Sequence, residues 1–229
     1  TLLEHFIRGL SQPHHLVNGE DFFIQQVLSS RSIDKLKNFI GQKKWLIIDE
    51  AQKIPGVGLN LKLIVDHIPE IRVIATGSSS FDLAAQTGEP LTGRKWTLRL
   101  FPLGQMELGQ KENAAQTAAR LESRLIYGSY PEVVLGEDDQ IRQRYLKEII
   151  SSYLYKDILE LEGLRHSDKL VRLLQLLAFQ IGKEVSFTEL GTQLGLSKNT
   201  VDRYLDLLEK AFVIYKLRGF SRNLRKEVS

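Results

Sequence analysis

The sequence predicts a parallel α/β sheet followed by an all-α region. Residues 44–49 and 71–76 are short segments rich in apolar residues, with apolar side chains on both faces, which is typical of strands in a sheet covered by helices. A segment with helical spacing, 59–67, lies between them and ends before Pro69. Strands separated by a helical segment favour a parallel sheet. From about residue 112 onward the spacing is helical.

Local signals predict the remaining elements of the α/β part. Asp21 and Ser32 precede short apolar-periodic segments and are suitable helix N-caps. Trp96, Leu98 and Leu100 alternate with polar residues, so we expect a further strand over 95–100. The other predicted elements are helices over 1–10, 22–28 and 33–40, a strand or loop over 15–19, and a short helix starting at 82–85.

The second half of the sequence predicts helices and a change of domain. Helices are expected over 112–127, from 139 to about 162, and over 167–181. We predict three regions: an α/β core over 1–110, a helical linker or lid over 111–181, and a winged helix-turn-helix over 182–229.

Composition limits the class of protein. The 229 residues carry a net charge of +3 and no cysteine, so disulfides and thiolate metal sites are excluded. No apolar run approaches the roughly 20 residues that cross a bilayer, and we expect a cytoplasmic protein without a membrane partner. Residues 182–229 hold 9 basic and 6 acidic residues, too small an excess to demonstrate nucleic-acid binding.

Two adjacent carboxylates, Asp49 and Glu50, lie at the end of the strand predicted over 44–49 and are the strongest chemical signal. Ligands of such sheets bind at the carboxyl ends of the strands. Acids are costly to desolvate there unless a cation meets them, and in P-loop nucleotide hydrolases that cation is Mg²⁺. The second acid can orient or polarise the attacking water. The alternative is a strand end whose acids cap the next turn.

Two further segments fit this edge of the sheet. Thr76, Gly77 and Ser78 end the next strand, where a polar side chain can bind a γ-phosphate or the attacking water. Arg94, in the tight turn Leu-Thr-Gly-Arg over 91–94, could meet phosphate in cis or across a subunit interface. The alternatives are an ordinary Gly/Ser turn and a solvated loop arginine.

The predicted helix-turn-helix lies over 186–205, with Ser197 capping its second helix. A DNA-reading helix would project four side chains into a major groove: Lys198, Asn199, Thr200 and Arg203. Segments 212–217 and 218–220 could form the wing. Asp202 and Asp206 on the same helix would repel phosphate, and a winged helix used for packing or partner contacts is the alternative.

Four of these segments together resemble bacterial and archaeal AAA-type ATPases. Leu-Ile-Ile-Asp-Glu-Ala-Gln-Lys-Ile-Pro (46–55) is similar to their Walker B strand, and Val-Ile-Ala-Thr-Gly-Ser-Ser (73–79) to their sensor-1 strand. Leu-Thr-Gly-Arg (91–94) with Leu-Arg-Leu-Phe-Pro-Leu (98–103), and Tyr-Gly-Ser-Tyr-Pro-Glu-Val-Val-Leu (127–135), resemble the segments that follow. The motifs stand in family order along nearly the whole chain, and their combination makes the resemblance specific.

The resemblance implies a P-loop NTPase-like sheet that uses ATP and Mg²⁺. It implies that Asp49 positions magnesium, that Glu50 is the catalytic acid and that Ser78 is the sensor. Thr76 would lie at the nucleotide, and Arg94 would be an arginine finger. It further implies a C-terminal module with a winged-helix part and then a restriction-nuclease-like part.

The sequence departs from the family at its first residue. Thr1 resembles the last residue of the family's Gly-Lys-Thr-Thr loop, and residues 1–229 contain no Gly-x-x-x-x-Gly-Lys. We interpret the start as a truncation and expect a sheet with a gap where nucleotide binds, so that this chain alone binds no cofactor and is inactive.

We therefore expect part of an AAA-like ATPase whose ATP hydrolysis drives remodelling or gating of its C-terminal module. One alternative is a DNA-binding winged-helix regulator with a nucleotide-sensing or inert α/β scaffold. A second is a toxin–antitoxin or defence component. Self-association is compatible with each of them.

Overall fold

The computed structural model describes residues 2–77, 91, 93–151 and 167–217. The chain divides into two compact units, Thr1–Thr97 and Leu98–Ser229. The predicted sensor Ser78, the predicted helix start at 82–85 and the wing segment 218–220 lie outside the described residues, as does Thr1.

The first unit is built on a parallel three-stranded sheet in the order β1-β2-β3, which confirms the predicted α/β class. The strands are β1 (His14–Asn18), β2 (Trp45–Asp49) and β3 (Arg72–Ala75). The central strand β2 has no solvent exposure at Leu46, Ile47 and Ile48. Its apolar side chains are buried on both faces, as the sequence indicates.

Four helices are described in this unit, and two of them begin at the predicted caps. Asp21 Oδ1 accepts the N–H of Phe23 at 2.8 Å, and Ser32 Oγ accepts the N–H of Lys35 at 3.5 Å. The helices are α1 (Leu2–Arg8), α2 (Phe22–Leu28), α3 (Ile33–Ile40) and α4 (Val57–His67). Helices α2, α3 and α4 enclose one apolar core together with the strands, whereas α1 has no buried residue.

The predicted strand over 95–100 is wrong. The segment has no regular structure, and Trp96, Leu98 and Leu100 are 96%, 91% and 84% exposed. Alternation makes a segment compatible with a strand, but a strand also needs the edge of another strand to pair with. Among the described residues the sheet has three strands, and none pairs with 95–100.

The second unit is helical. Its described helices are α5 (Gln105–Leu108), α6 (Ala114–Tyr127), α7 (Pro131–Leu135), α8 (Asp139–Ile149), α9 (Ser167–Ala178), α10 (Phe187–Leu194) and α11 (Lys198–Lys210). The predicted helices over 112–127 and 167–181 correspond to α6 and α9. The long helix predicted from residue 139 is described as far as Ile149, and most of its predicted second half lies among the omitted residues.

A nearly buried ion pair joins α6 to the turn before it. Arg124 donates to both carboxylate oxygens of Glu112 at 2.5 Å, and the two side chains are only 12% and 5% exposed. These hydrogen bonds hold the pKa of Glu112 below its ordinary value. The pair therefore stabilises the unit above the ordinary carboxyl pKa, and this contribution is lost as the pH falls through the lowered one.

Helix α9 packs with α10 and α11. Leu170 and Leu173 of α9 are buried in the same cluster as Leu190, Val201 and Leu205. The predicted division at residue 181 cuts through this cluster, since one apolar core includes residues from both sides of it. No strand is present over 212–217, so the described residues form the helix-turn-helix without showing a wing.

Among the described residues, every helix is too short or too polar to cross a membrane.

Candidate functional site

The carboxyl edge of the sheet brings two of the predicted polar segments together, the acids at 49–50 and the segment that starts at Thr76. The register places Asn18 opposite Asp49, and Ile48 opposite Ala75, so that the three strands end side by side. Asp49 and Thr76 therefore lie on neighbouring strands at the same edge. Parallel topology makes this meeting unavoidable, since every strand of the sheet runs in the same direction.

Asp49 is held by hydrogen bonds from both sides of the strand end. Its Oδ1 accepts the hydroxyl of Thr76 and the N–H of Glu50, the latter at 3.2 Å. The backbone of Thr76 is itself fixed, because its N–H donates to Ile48 at 2.9 Å and its carbonyl accepts from Ala51 at 2.9 Å. Among the described residues no hydrogen bond engages the other carboxylate oxygen, Asp49 Oδ2.

Glu50 has a left-handed backbone with φ +52° and ψ +42°, directly before a 3₁₀ turn over Ala51–Lys53. This conformation is uncommon for a residue with a side chain, and its strain is characteristic of functional sites. The Gln52 amide donates to Glu50 Oε2 at 2.5 Å. The left-handed residue follows the last residue of β2, Asp49, directly.

Gly19 allows β1 to approach the two acids. Its N–H donates to the carbonyl of Asp49 at 2.7 Å. A Cβ at this position would lie 2.3 Å from the carbonyl oxygen of Glu50 and 3.2 Å from that of Asp49. The φ of Gly19 is not positive, so a left-handed backbone is not the reason for a glycine here. The reason is the lack of space for a Cβ. Sequence reasoning missed this residue, and Asn-Gly directly after an apolar run was the available signal.

Arg94 lies in the predicted tight turn but does not meet the acids. Its N–H donates to the carbonyl of Leu91 at 3.0 Å, and its Nε lies 2.7 Å from Asp66 Oδ1. Asp66 is near the C-terminal end of α4, a helix of about 16 Å that starts at Val57 and leads back to the amino end of β3. Among the described residues, this guanidinium therefore pairs with Asp66 and not with Asp49 or Glu50.

Comparison with known proteins gives the first region a family likeness. Residues 1–109 match the family model of an AAA domain. The match supports an AAA-type, ATPase-like domain over the unit that carries Asp49, Glu50 and Thr76. Residues 118–229 match a second family model, described as a domain of unknown function (DUF8612).

The similar curated proteins are uncharacterized. One from Mycobacterium tuberculosis is 28% identical over 95% of this chain and 47% of its own length. Another, from Haemophilus influenzae, is 27% identical over 89% of this chain and 54% of its own length. A third, from Methanocaldococcus jannaschii, is 22% identical over 89% and 55%. The chain thus spans about half the length of the curated relatives it matches. No solved structure matches it significantly.

The carboxylate at this edge of the sheet would fit a magnesium ion that is bound mainly by a nucleotide. Protein sites for Mg²⁺ commonly supply one or two carboxylates and leave the other positions to phosphates and water. The described residues contain no cluster of three His, Asp or Glu side chains able to hold a metal ion by themselves. Asp49 offers one oxygen, Oδ2, and its other oxygen is fixed by Thr76. This donor set fits a shared ion rather than a structural metal.

The second candidate surface is the N-terminal half of α11. Ser197 caps this helix, its Oγ accepting the N–H of Thr200 at 3.2 Å. Lys198, Asn199 and Arg203 are exposed, and Thr200 is half-buried. The turn before the helix is tight, because a Cβ on Gly191 of α10 would lie 2.7 Å from the carbonyl oxygen of Leu196. The four predicted side chains lie in the first two turns of α11, which begins at Lys198.

Proposed function

We propose that residues 1–109 carry the Walker B and sensor-1 strands of an AAA-type ATPase. In the full-length protein this domain binds ATP with Mg²⁺, hydrolyses it and drives remodelling or gating of the C-terminal module. The observation that supports this most is the arrangement of Asp49, Glu50 and Thr76 at the carboxyl edge of a parallel sheet. The AAA-domain match over the same residues supports it independently.

Each side chain has one task in this proposal. Asp49 Oδ2 helps to hold the magnesium ion, which when bound neutralises phosphate charge. Thr76 keeps the Asp49 carboxylate in place through its hydroxyl. The Glu50 carboxylate accepts a proton from the water that attacks the γ-phosphorus, while the bond from that phosphorus to the β,γ-bridging oxygen breaks. The products are ADP and inorganic phosphate. Ser78 is proposed as the sensor and Arg94 as a finger toward a neighbouring subunit.

Phosphate release from ATP by the full-length protein tests the ATPase. We expect turnover in the presence of Mg²⁺ and a fall to background when EDTA removes the ion, with turnover restored by added Mg²⁺. Mg²⁺-dependent hydrolysis reduced by Asp49→Ala at unchanged folding assigns the activity to this site. A full-length protein that binds no ATP would refute the function.

A second candidate function, DNA binding through α11, is favoured by the exposed Lys198, Asn199 and Arg203. Exposed Asp202 on the same helix and the modest basic excess of residues 182–229 oppose it. Packing against a partner protein is the competing use of the same helix-turn-helix.

The DNA function predicts a steep dependence of affinity on salt. In fluorescence anisotropy with a duplex of random sequence, affinity should fall by at least about tenfold between 50 and 200 mM salt, because phosphate contacts release counterions. Arg203→Ala should weaken binding and lower the salt slope by about one. Lys210→Ala, at the other end of α11, is the matched control. Absent or salt-independent binding would favour the packing role.

A further inference from the structure

Gln52 is half-buried, and the two ends of its side-chain amide have different surroundings. Its Nε2 donates to Glu50 Oε2 at 2.5 Å. The orientation of the amide follows from chemistry, because an ionised carboxylate only accepts hydrogen bonds and so must face the NH₂ group. The other end of the amide, Oε1, is buried and has no hydrogen-bond partner among the described residues.

A buried acceptor without a partner destabilises the folded protein, and such an atom in a native structure calls for an explanation. An apolar side chain of similar size, such as leucine, would fill the same space without this cost. The presence of an amide at this position is explained if its NH₂ group is needed. Within the described residues, that NH₂ group donates to the Glu50 carboxylate. Glu50 is also the residue with the left-handed backbone at the strand end.

We propose that Gln52 is a positioning residue for Glu50. By holding Oε2, the amide fixes the plane of the carboxylate and leaves Oε1 of Glu50 to accept the proton of the attacking water. A freely rotating carboxylate would spend only part of its time in that geometry, and orientation is a large part of catalytic rate. This inference rests on the proposed ATPase function.

The substitution Gln52→Leu in the full-length protein tests the inference, with ATP turnover and thermal unfolding measured on the same preparation. We expect kcat to fall by about 10–100-fold, taking as the scale the effect of removing a residue that orients a metal ligand. The KM for ATP should stay within about threefold, because Gln52 acts on the reacting water rather than on nucleotide binding. The unfolding midpoint should stay the same or rise, since the unpaired acceptor is gone. Gln42→Leu, at an exposed glutamine of the same unit, is the control and should leave kcat, the KM for ATP and the unfolding midpoint unchanged.

The outcomes separate this inference from the function on which it rests. An unmutated protein that hydrolyses ATP, together with a Gln52→Leu variant of unchanged kcat, overturns the positioning role and leaves the ATPase intact. A variant whose kcat falls only in proportion to a loss of folded protein assigns Gln52 a structural role and also overturns it. An unmutated protein without ATP turnover overturns both proposals.

Discussion

Glu50→Gln in the full-length protein is expected to lower ATP turnover by at least about 100-fold, the scale of a general base in catalysis. The amide is nearly isosteric with the carboxylate but cannot take the proton of the attacking water. ATP binding should be retained, because Asp49 and Thr76 remain in place at the neighbouring strand ends. The measurements are steady-state phosphate release and equilibrium binding of a fluorescent ATP analogue.

Glu70→Gln is the matched control for this substitution. Glu70 is an exposed carboxylate before the amino end of β3, paired with Lys44 on the surface at 2.5 Å. Removing its charge leaves the carboxyl edge of the sheet untouched, so turnover should not change. If Glu50→Gln retained full turnover, Glu50 would not be the base. If it lost ATP binding as well, its role would be structural.

Gly19→Ala is expected to destabilise the first unit by about 2 kcal/mol or more, at the upper part of the range for overpacking. The new methyl group would lie 2.3 Å from the carbonyl oxygen of Glu50, so β1 must move away from β2. That movement breaks the 2.7 Å hydrogen bond from Gly19 to Asp49 and displaces both acids. Turnover should therefore fall further than the loss of folded protein explains. Chemical denaturation and phosphate release measure the two effects.

Gly9→Ala supplies the control for added bulk in the same unit. A Cβ at Gly9 would meet the carbonyl oxygen of Phe6 at 3.4 Å, an ordinary van der Waals distance. This substitution should be close to neutral for both stability and turnover. If Gly19→Ala were equally neutral, the close approach between β1 and the strand end that carries the acids would be refuted.

Local chemistry accounts for the elements that the sequence predicted well. The caps at Asp21, Ser32 and Ser197 each satisfy N–H groups of the turn that follows, which depends on only a few neighbouring residues. The apolar run of β2 likewise predicted burial on both faces from only a few neighbouring residues. The edge of the sheet was predictable as well, because parallel strands bring their carboxyl ends together. The winged helix and the sensor Ser78 stay predictions.

The features that differ from the predictions, or that no prediction covered, depend on contacts between distant segments of the chain. Alternation over 95–100 predicted a strand, but pairing depends on a partner edge that no local pattern reveals. The boundary at residue 181 was placed where the predicted helix-turn-helix region begins, whereas Leu170 and Leu173 pack with α10 and α11. The turn containing Arg94 was predicted, but its ion pair with Asp66 was not, since 28 residues separate them.

The sequence by itself determined that Asp49, Glu50 and Thr76 would lie at one edge of a parallel sheet, because strand periodicity and chain direction are local properties. The tertiary structure alone decided how that edge is built. It places the backbone of Gly19 against Asp49 and Glu50, ties Thr76 to Asp49, and sets the amide of Gln52 on the Glu50 carboxylate. The contacts of Gly19 and Thr76 join separate segments of the chain and depend on how the whole unit packs, whereas the hydrogen bond from Gln52 to Glu50 lies within one turn and depends on the conformation of that turn.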